Sequence, residues 1–204
     1  MANLGFPPAT GILPFSGAIP MGELSLDERR RMRLDALNQL KSRAITVKRL
    51  AGTPQELVIR DILPNTDLGI AAVGAGAAAN RWVVDVALAV DPAARVTWIN
   101  VALAQNRMLV IYGGAALSAI PAIATIFFQS GPGGATVRAL AELESCYAML
   151  ETAYYLSKAA LWDPQETVFI SVVARATVAA DIDLHLFRGA IAEPLGEFLS
   201  GPVI

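Results

Sequence analysis

Cysteine is almost missing from this chain: Cys146 is the single one in 204 residues. An intrachain disulfide and a multi-thiolate metal site are therefore excluded, and Cys146 reads as a small buried apolar residue. Histidine is equally scarce. A Ser/His/Asp triad, a histidine metal site or a proton relay would have to use His185, and no Gly-x-Ser-x-Gly elbow accompanies it. Charged residues make up 17% of the chain, against about 25% in an ordinary soluble domain, while 54% are hydrophobic. Little surface is left for water, so side faces are expected to be buried in a bilayer or against neighbouring subunits. The net charge of −2 supplies no global basic field. Packaging of nucleic acid by bulk charge is excluded on that ground, and sequence-specific nucleic-acid binding is not expected. Only Lys41, Lys48 and Lys158 among the basic residues are lysine, a bias that fits a GC-rich genome or adaptation to heat. The first residues have no basic n-region and are broken by prolines, so they do not read as a secretory signal peptide. No zinc spacing, calcium loop or kinase signature is present, and no cofactor is expected.

What is there begins with Pro7, Pro8, Pro14 and Pro20 among several glycines over residues 1–23, a composition that prevents helix. This predicts an extended arm able to lie on a neighbour. Ser25 followed by Glu28 forms a capping box, and Leu26, Leu34, Leu37 and Leu40 fall on one stripe of a helix running to about Ser42. Its other face carries Arg29, Arg30, Arg31 and Arg33. They suit a lipid or nucleic-acid phosphate or a partner's acidic patch, or else a solvated face paired with Asp27, Glu28 and Asp35.

After the helix the hydrophobic period changes to two. Strands are expected at Ala44 to Leu50 and Glu56 to Leu63, joined as a hairpin through Gly52 and Pro54. A second hairpin is expected from Trp82 to Val90 and Arg95 to Leu103, turning at Asp91-Pro92-Ala93-Ala94. Further strands are placed at Arg107 to Tyr112, Ile120 to Gln129, Thr167 to Ala174 and Asp181 to Phe187. Thr136 to Leu161 is alanine-rich and reads as mixed structure. Short strands with frequent turn signals imply a sandwich or barrel rather than alternating βα units. The expected organisation is an arm and amphipathic basic helix over residues 1–43 and a β-sandwich over residues 44–204.

Three segments invite a chemical reading. Gly74-Ala75-Gly76-Ala77-Ala78-Ala79 has the outline of a dinucleotide-binding turn, but a period-2 segment follows where a helix is needed, which favours a plain loop. Gly131-Pro132-Gly133-Gly134 lacks the lysine of a P-loop and reads as a turn. Met108 to Phe128 carries no charge and is long enough to cross a bilayer as a helix, which keeps a membrane anchor open. Gly113-Gly114 and Pro121 within it, and the lack of basic flanks, favour two buried strands. Asp183 shares a face of the last strand with His185, opposite Leu184 and Leu186, so His185 is expected to face solvent or an interface. The carboxylate pairs Asp181 with Asp183 and Glu142 with Glu144 carry no sign of the pKa difference that acid/base work requires.

Three passages then sharpen the picture. Glu56 to Gly69 resembles the strand that opens a jelly roll. Leu161 to Arg175, with its Trp-Asp-Pro turn before a long strand, resembles a late jelly-roll strand. Asp181 to Pro194 resembles the closing one. Over roughly residues 56–196 the chain is similar to the single jelly-roll capsid proteins of tailless, icosahedral, membrane-containing double-stranded DNA phages of thermophiles. The resemblance implies a mainly β fold, a single jelly-roll β-sandwich, and a non-enzymatic subunit of the virion. It further implies self-association into capsomers of an icosahedral shell, a possible second capsid protein as partner, and contact with an internal lipid membrane. The alternatives are a small membrane-associated protein, anchored by Met108 to Phe128 or by the basic helix, and after it a nucleotide-binding enzyme using Gly74 and Gly76.

Overall fold

Ser25 opens the first helix through the expected reciprocal cap: its hydroxyl accepts the Glu28 backbone N–H at 3.2 Å, and the Glu28 carboxylate accepts the Ser25 N–H at 2.8 Å. Helix α1 spans Leu26–Ser42. The computed structural model describes residues 17–74, 76, 79–80, 82–87, 95–175 and 182–200. The buried stripe of α1 differs from the expected one. Met32, Ala36 and Leu40 face the protein, while Leu26 and Leu34 are 60% and 57% exposed. Ala44 extends that stripe by one more turn, and this is why the expected strand from Ala44 to Leu50 is absent. Arg43–Val47 continues the helix as a wider turn, closed by Lys48 N–H donating to Arg43 C=O at 2.9 Å. Burial of Ala44 overrides the β preference of Ile45, Thr46 and Val47.

The remaining elements are β1 Ala18–Pro20, β2 Leu57–Asp61, α2 Pro64–Asp67, β3 Val83–Ala87, β4 Arg95–Ala102, β5 Met108–Ala116, β6 Ile123–Ser130, β7 Thr136–Glu142, α3 Glu144–Ala148, β8 Ala153–Trp162, β9 Thr167–Ala174, β10 Ile182–Pro194 and α4 Leu195–Ser200. The protein is mainly β, with two antiparallel sheets as in a β-sandwich. The first has the order β1-β8-β5-β10-β2, and β3 joins it on β10 beyond β2; the second has the order β4-β9-β6-β7. Residues 190–194 of β10 pair with β2 and residues 182–186 with β3, so β2 and β3 lie end to end along one flank of β10. Across the chain the pairings are nested: β2 and β3 with β10, β4 with β9, β5 with β8, and β6 with β7.

Neither expected hairpin forms among the described residues. β2 pairs with β10. β3 and β4 sit in different sheets, and the Asp91 to Ala94 turn lies outside the described residues. Of the expected arm, Ala18–Pro20 is extended and pairs with the chain's own β8, and residues 1–16 lie outside the described residues.

The core fills the space between the sheets. Trp162, Tyr154, Ile111 and Phe187 from the first meet Phe128, Ile126, Ile170 and Val172 from the second, with Cys146 buried at the margin as expected. A second apolar layer lies between α1 and the outer face of the first sheet, where Ala36, Leu40 and Ala44 meet Met108, Val110, Tyr112 and Tyr155. This explains Met108 to Phe128. β5 is buried at every position because the core covers one face and α1 the other, so its sequence reads as an uninterrupted apolar run. The segment is two strands of different sheets, and the spanning helix is not formed. No helix among the described residues is long and apolar enough to cross a membrane.

Candidate functional site

β10 carries its polar residues inward. Asp183 and His185 are completely buried with Phe187, whereas Leu184 and Leu186 on the other face are half-buried, the reverse of the expected orientation. Alternation fixes which residues share a face but not which face is inside. Asp183 is held by two backbone donors, Ala122 N–H at 2.8 Å and Ile123 N–H at 3.1 Å, so its carboxylate anchors the segment leading into β6. His185 Nε2 lies 3.0 Å from the Tyr154 hydroxyl, with Trp98, Phe187 and Tyr154 rings around it at centroid distances of 5.3–5.8 Å. Burial pushes the imidazole pKa down to about 3, so the ring is neutral in the folded protein at neutral pH. Gly114 permits this approach. A Cβ there would stand 2.7 Å from the Tyr154 hydroxyl and 2.8 Å from His185 Nε2. The group is sealed from solvent, and chemically it can do little beyond joining β5, β8 and β10. Asp181 lies outside the described residues. Glu144 pairs with Arg175 at 2.9 Å, an ordinary ion pair.

A second buried polar group ties the far end of β10 to β2 and α2. Arg60 donates to Glu193 at 2.7 Å and bidentately to Asp67, at 2.5 and 2.8 Å, while Arg107 donates to the other Glu193 oxygen at 2.9 Å. The hydrogen bonds that Arg60 donates to Asp67 first, and to Glu193 next, hold its pKa well above its ordinary value against the effect of burial.

The four arginines of α1 are not brought together. Arg29 donates to the Leu24 carbonyl at 3.0 Å, Arg30 stands 3.7 Å from Asp27 on the exposed side, and Arg31 is exposed. A spacing of about 100° per residue spreads these three around the helix instead of onto one face. Arg33, one turn after Arg29, lines a cleft on the outer face of the first sheet. This cleft, about 250 Å³, is lined by Arg33, Asp61, Trp82, Tyr112, Tyr155 and Arg188. Arg33 lies 3.6 Å from Asp61, and the Arg188 guanidinium sits 5.7 Å from the centre of the Tyr155 ring, which itself stacks on Tyr112 at 6.2 Å. The Tyr112 pKa is raised by burial, while the charges of Arg33 and Arg188 act to lower it. Sequence reasoning singled out Arg33 and missed the rest. Arg188, Tyr112, Tyr155 and Trp82 come from β10, β5, β8 and the loop before β3, and no spacing links them.

Gly74 and Gly76 adopt positive φ in a loop closed by the Val73–Asn80 pair, whose backbone hydrogen bonds are 3.1 and 2.6 Å. β3 follows this loop where a dinucleotide turn would need a helix, so the phosphate-cradling reading fails. Gly131 to Gly134 forms the turn from β6 to β7.

One end of the sandwich presents apolar side chains to water. The β5–β6 connection exposes Leu117 and Ile120, and the α3–β8 connection exposes Met149 and Leu150. Hydrogen bonds from Ala116 N–H to Thr152 C=O (2.9 Å) and from Arg175 N–H to Ala122 C=O (2.7 Å) hold these connections and the end of β9 together. Leu150 is 95% exposed and has φ of 59°, a left-handed conformation that branched side chains avoid. No protein-family model, curated protein or solved structure matches this chain.

Proposed function

We propose that the chain is a single jelly roll and acts as a capsid subunit that assembles with copies of itself into the shell of a virion. The nested pairings support the fold reading. In a jelly roll an eight-strand antiparallel ribbon pairs strand one with eight, two with seven, three with six and four with five, and wraps so that alternate pairs enter opposite sheets. With β2 and β3 taken together as its first strand, the order from there to β10 gives those four pairs in that alternation, and β5·β10 and β6·β9 close the sheets. The observation that carries the assembly reading is the apolar loop end. Leu117, Ile120, Met149 and Leu150 are held in place by backbone hydrogen bonds while open to water, in a chain with few charges. A second copy of this chain is the proposed occupant of that surface. Arg30 and Arg31, exposed on α1, are the arginines that meet a lipid surface in this reading.

Leu150→Glu and Ile120→Glu test the surface. Each side chain is exposed, so the melting temperature is expected to stay within a few degrees, about the scatter of surface substitutions. Assembled mass at a given concentration is expected to fall at least tenfold, because a buried charge without a partner is costly at an interface. Assembly unchanged in both variants would remove this end of the sandwich from the proposal.

A further inference from the structure

Among the described residues the partly buried arginines are, with one exception, each answered by an oxygen. Arg43 meets Asp163, Arg60 meets Asp67 and Glu193, Arg107 meets Glu193, Arg138 meets Glu166, Arg175 meets Glu144, and Arg29 meets the Leu24 carbonyl. Arg188 is the exception. It makes no ion pair among the described residues, its Nε is buried without a hydrogen-bond partner, and its guanidinium lies over the face of Tyr155. A guanidinium is always charged and presents five N–H donors, and leaving one buried donor unmade is costly. Arg33 lines the same cleft, and among the described lining residues Asp61, 3.6 Å from Arg33, is the one carboxylate against these two guanidiniums, which leaves positive charge in excess.

We propose that this cleft binds a phosphate group, held by Arg188 and Arg33. The walls favour a phosphate over a carboxylate. Arg33, Arg188, Tyr112 and Tyr155 line it from four different elements, α1, β10, β5 and β8, and a phosphate offers at least three strong acceptor oxygens and up to two charges where a carboxylate offers two oxygens and one charge. The stacked Tyr112 and Tyr155 rings, with Ile62 and Phe187, keep the surroundings apolar, which strengthens each charge-assisted hydrogen bond. The volume of about 250 Å³ accommodates a phosphate or the phosphate end of an ester, and lies below the range of about 300–1,000 Å³ common for larger ligands. The site is complete within one chain, so the inference stands apart from self-assembly.

Trp82 lines the cleft and is 45% exposed, more than Trp98 or Trp162, so its fluorescence reports on occupancy. Titration with inorganic phosphate at constant ionic strength is expected to give a saturable change, accompanied by a rise in melting temperature. Arg188→Gln and Arg33→Gln should each weaken binding about tenfold or more, and Arg31→Gln, which alters an exposed arginine outside the cleft, should leave it unchanged. Glycerol 3-phosphate separates the sources: affinity equal to or above that of inorganic phosphate assigns the cleft to a phosphate ester such as a lipid headgroup, and much weaker affinity assigns it to the free ion. Should Arg188→Gln fail to fold, Arg33→Gln, at an exposed helix position, carries the test alone. No saturable response in the wild type, or equal responses in wild type and the folded cleft variants, would overturn the proposal.

Discussion

Glu193→Ala lowers the melting temperature by roughly 10 °C, the effect expected when about 3–5 kcal/mol is lost from a domain of this size. Glu193 is 2% exposed and takes one arginine on each oxygen, Arg60 at 2.7 Å and Arg107 at 2.9 Å. Both guanidiniums are largely out of water. Removing the carboxylate therefore leaves two cations competing for Asp67 in a place where neither can be fully hydrated. The cost falls on the junction of β2, α2 and β10, which closes one edge of the first sheet. Asp27→Ala, which removes the exposed 3.7 Å pair with Arg30, serves as the control and should leave the melting temperature unchanged. Equal shifts in the two variants, read by thermal unfolding, would mean that the buried network contributes nothing.

Acid weakens the fold through His185. The ring is neutral in the folded protein, with a pKa of about 3, whereas an unfolded chain restores about 6.5. Above pH 6.5 neither state takes up a proton and stability does not depend on this group. Below it the unfolded state binds the proton that the folded state refuses, so stability falls by up to about 1.4 kcal/mol per pH unit until pH approaches 3. Between pH 6 and pH 4 the loss amounts to roughly 2–3 kcal/mol. The wild type and His185→Phe separate this effect from that of the carboxylates. Their difference in unfolding free energy should be flat above pH 7 and should shrink or reverse as the pH drops below 6. Parallel pH curves would show that His185 takes up its proton without unfolding.

Two of the missed features have one physical origin. Local periodicity reveals the faces of a segment, and only tertiary packing decides which face is inside. On β10 the apolar Leu184 and Leu186 pointed to the core, yet Asp183 is inside because the backbone N–H groups of Ala122 and Ile123 need an acceptor there. Ala44 to Leu50 has the residues of a strand and forms a helical turn because Ala44 completes a stripe begun at Met32. The capping box at Ser25, the strand Thr167–Ala174 and the mixed structure of Thr136 to Leu161 were legible because each is set by neighbours in sequence. The Arg33–Arg188 cleft was not. Its walls come from α1, β5, β8 and β10, which only the nested pairing brings together.

The most direct test of a self-assembling jelly-roll subunit is the mass of the full chain by light scattering in detergent-free buffer across a range of concentrations, with negative-stain images of the same samples. The account predicts mass that rises with concentration and discrete rings or shells in the images. A monomer at every concentration, with featureless images, would contradict it.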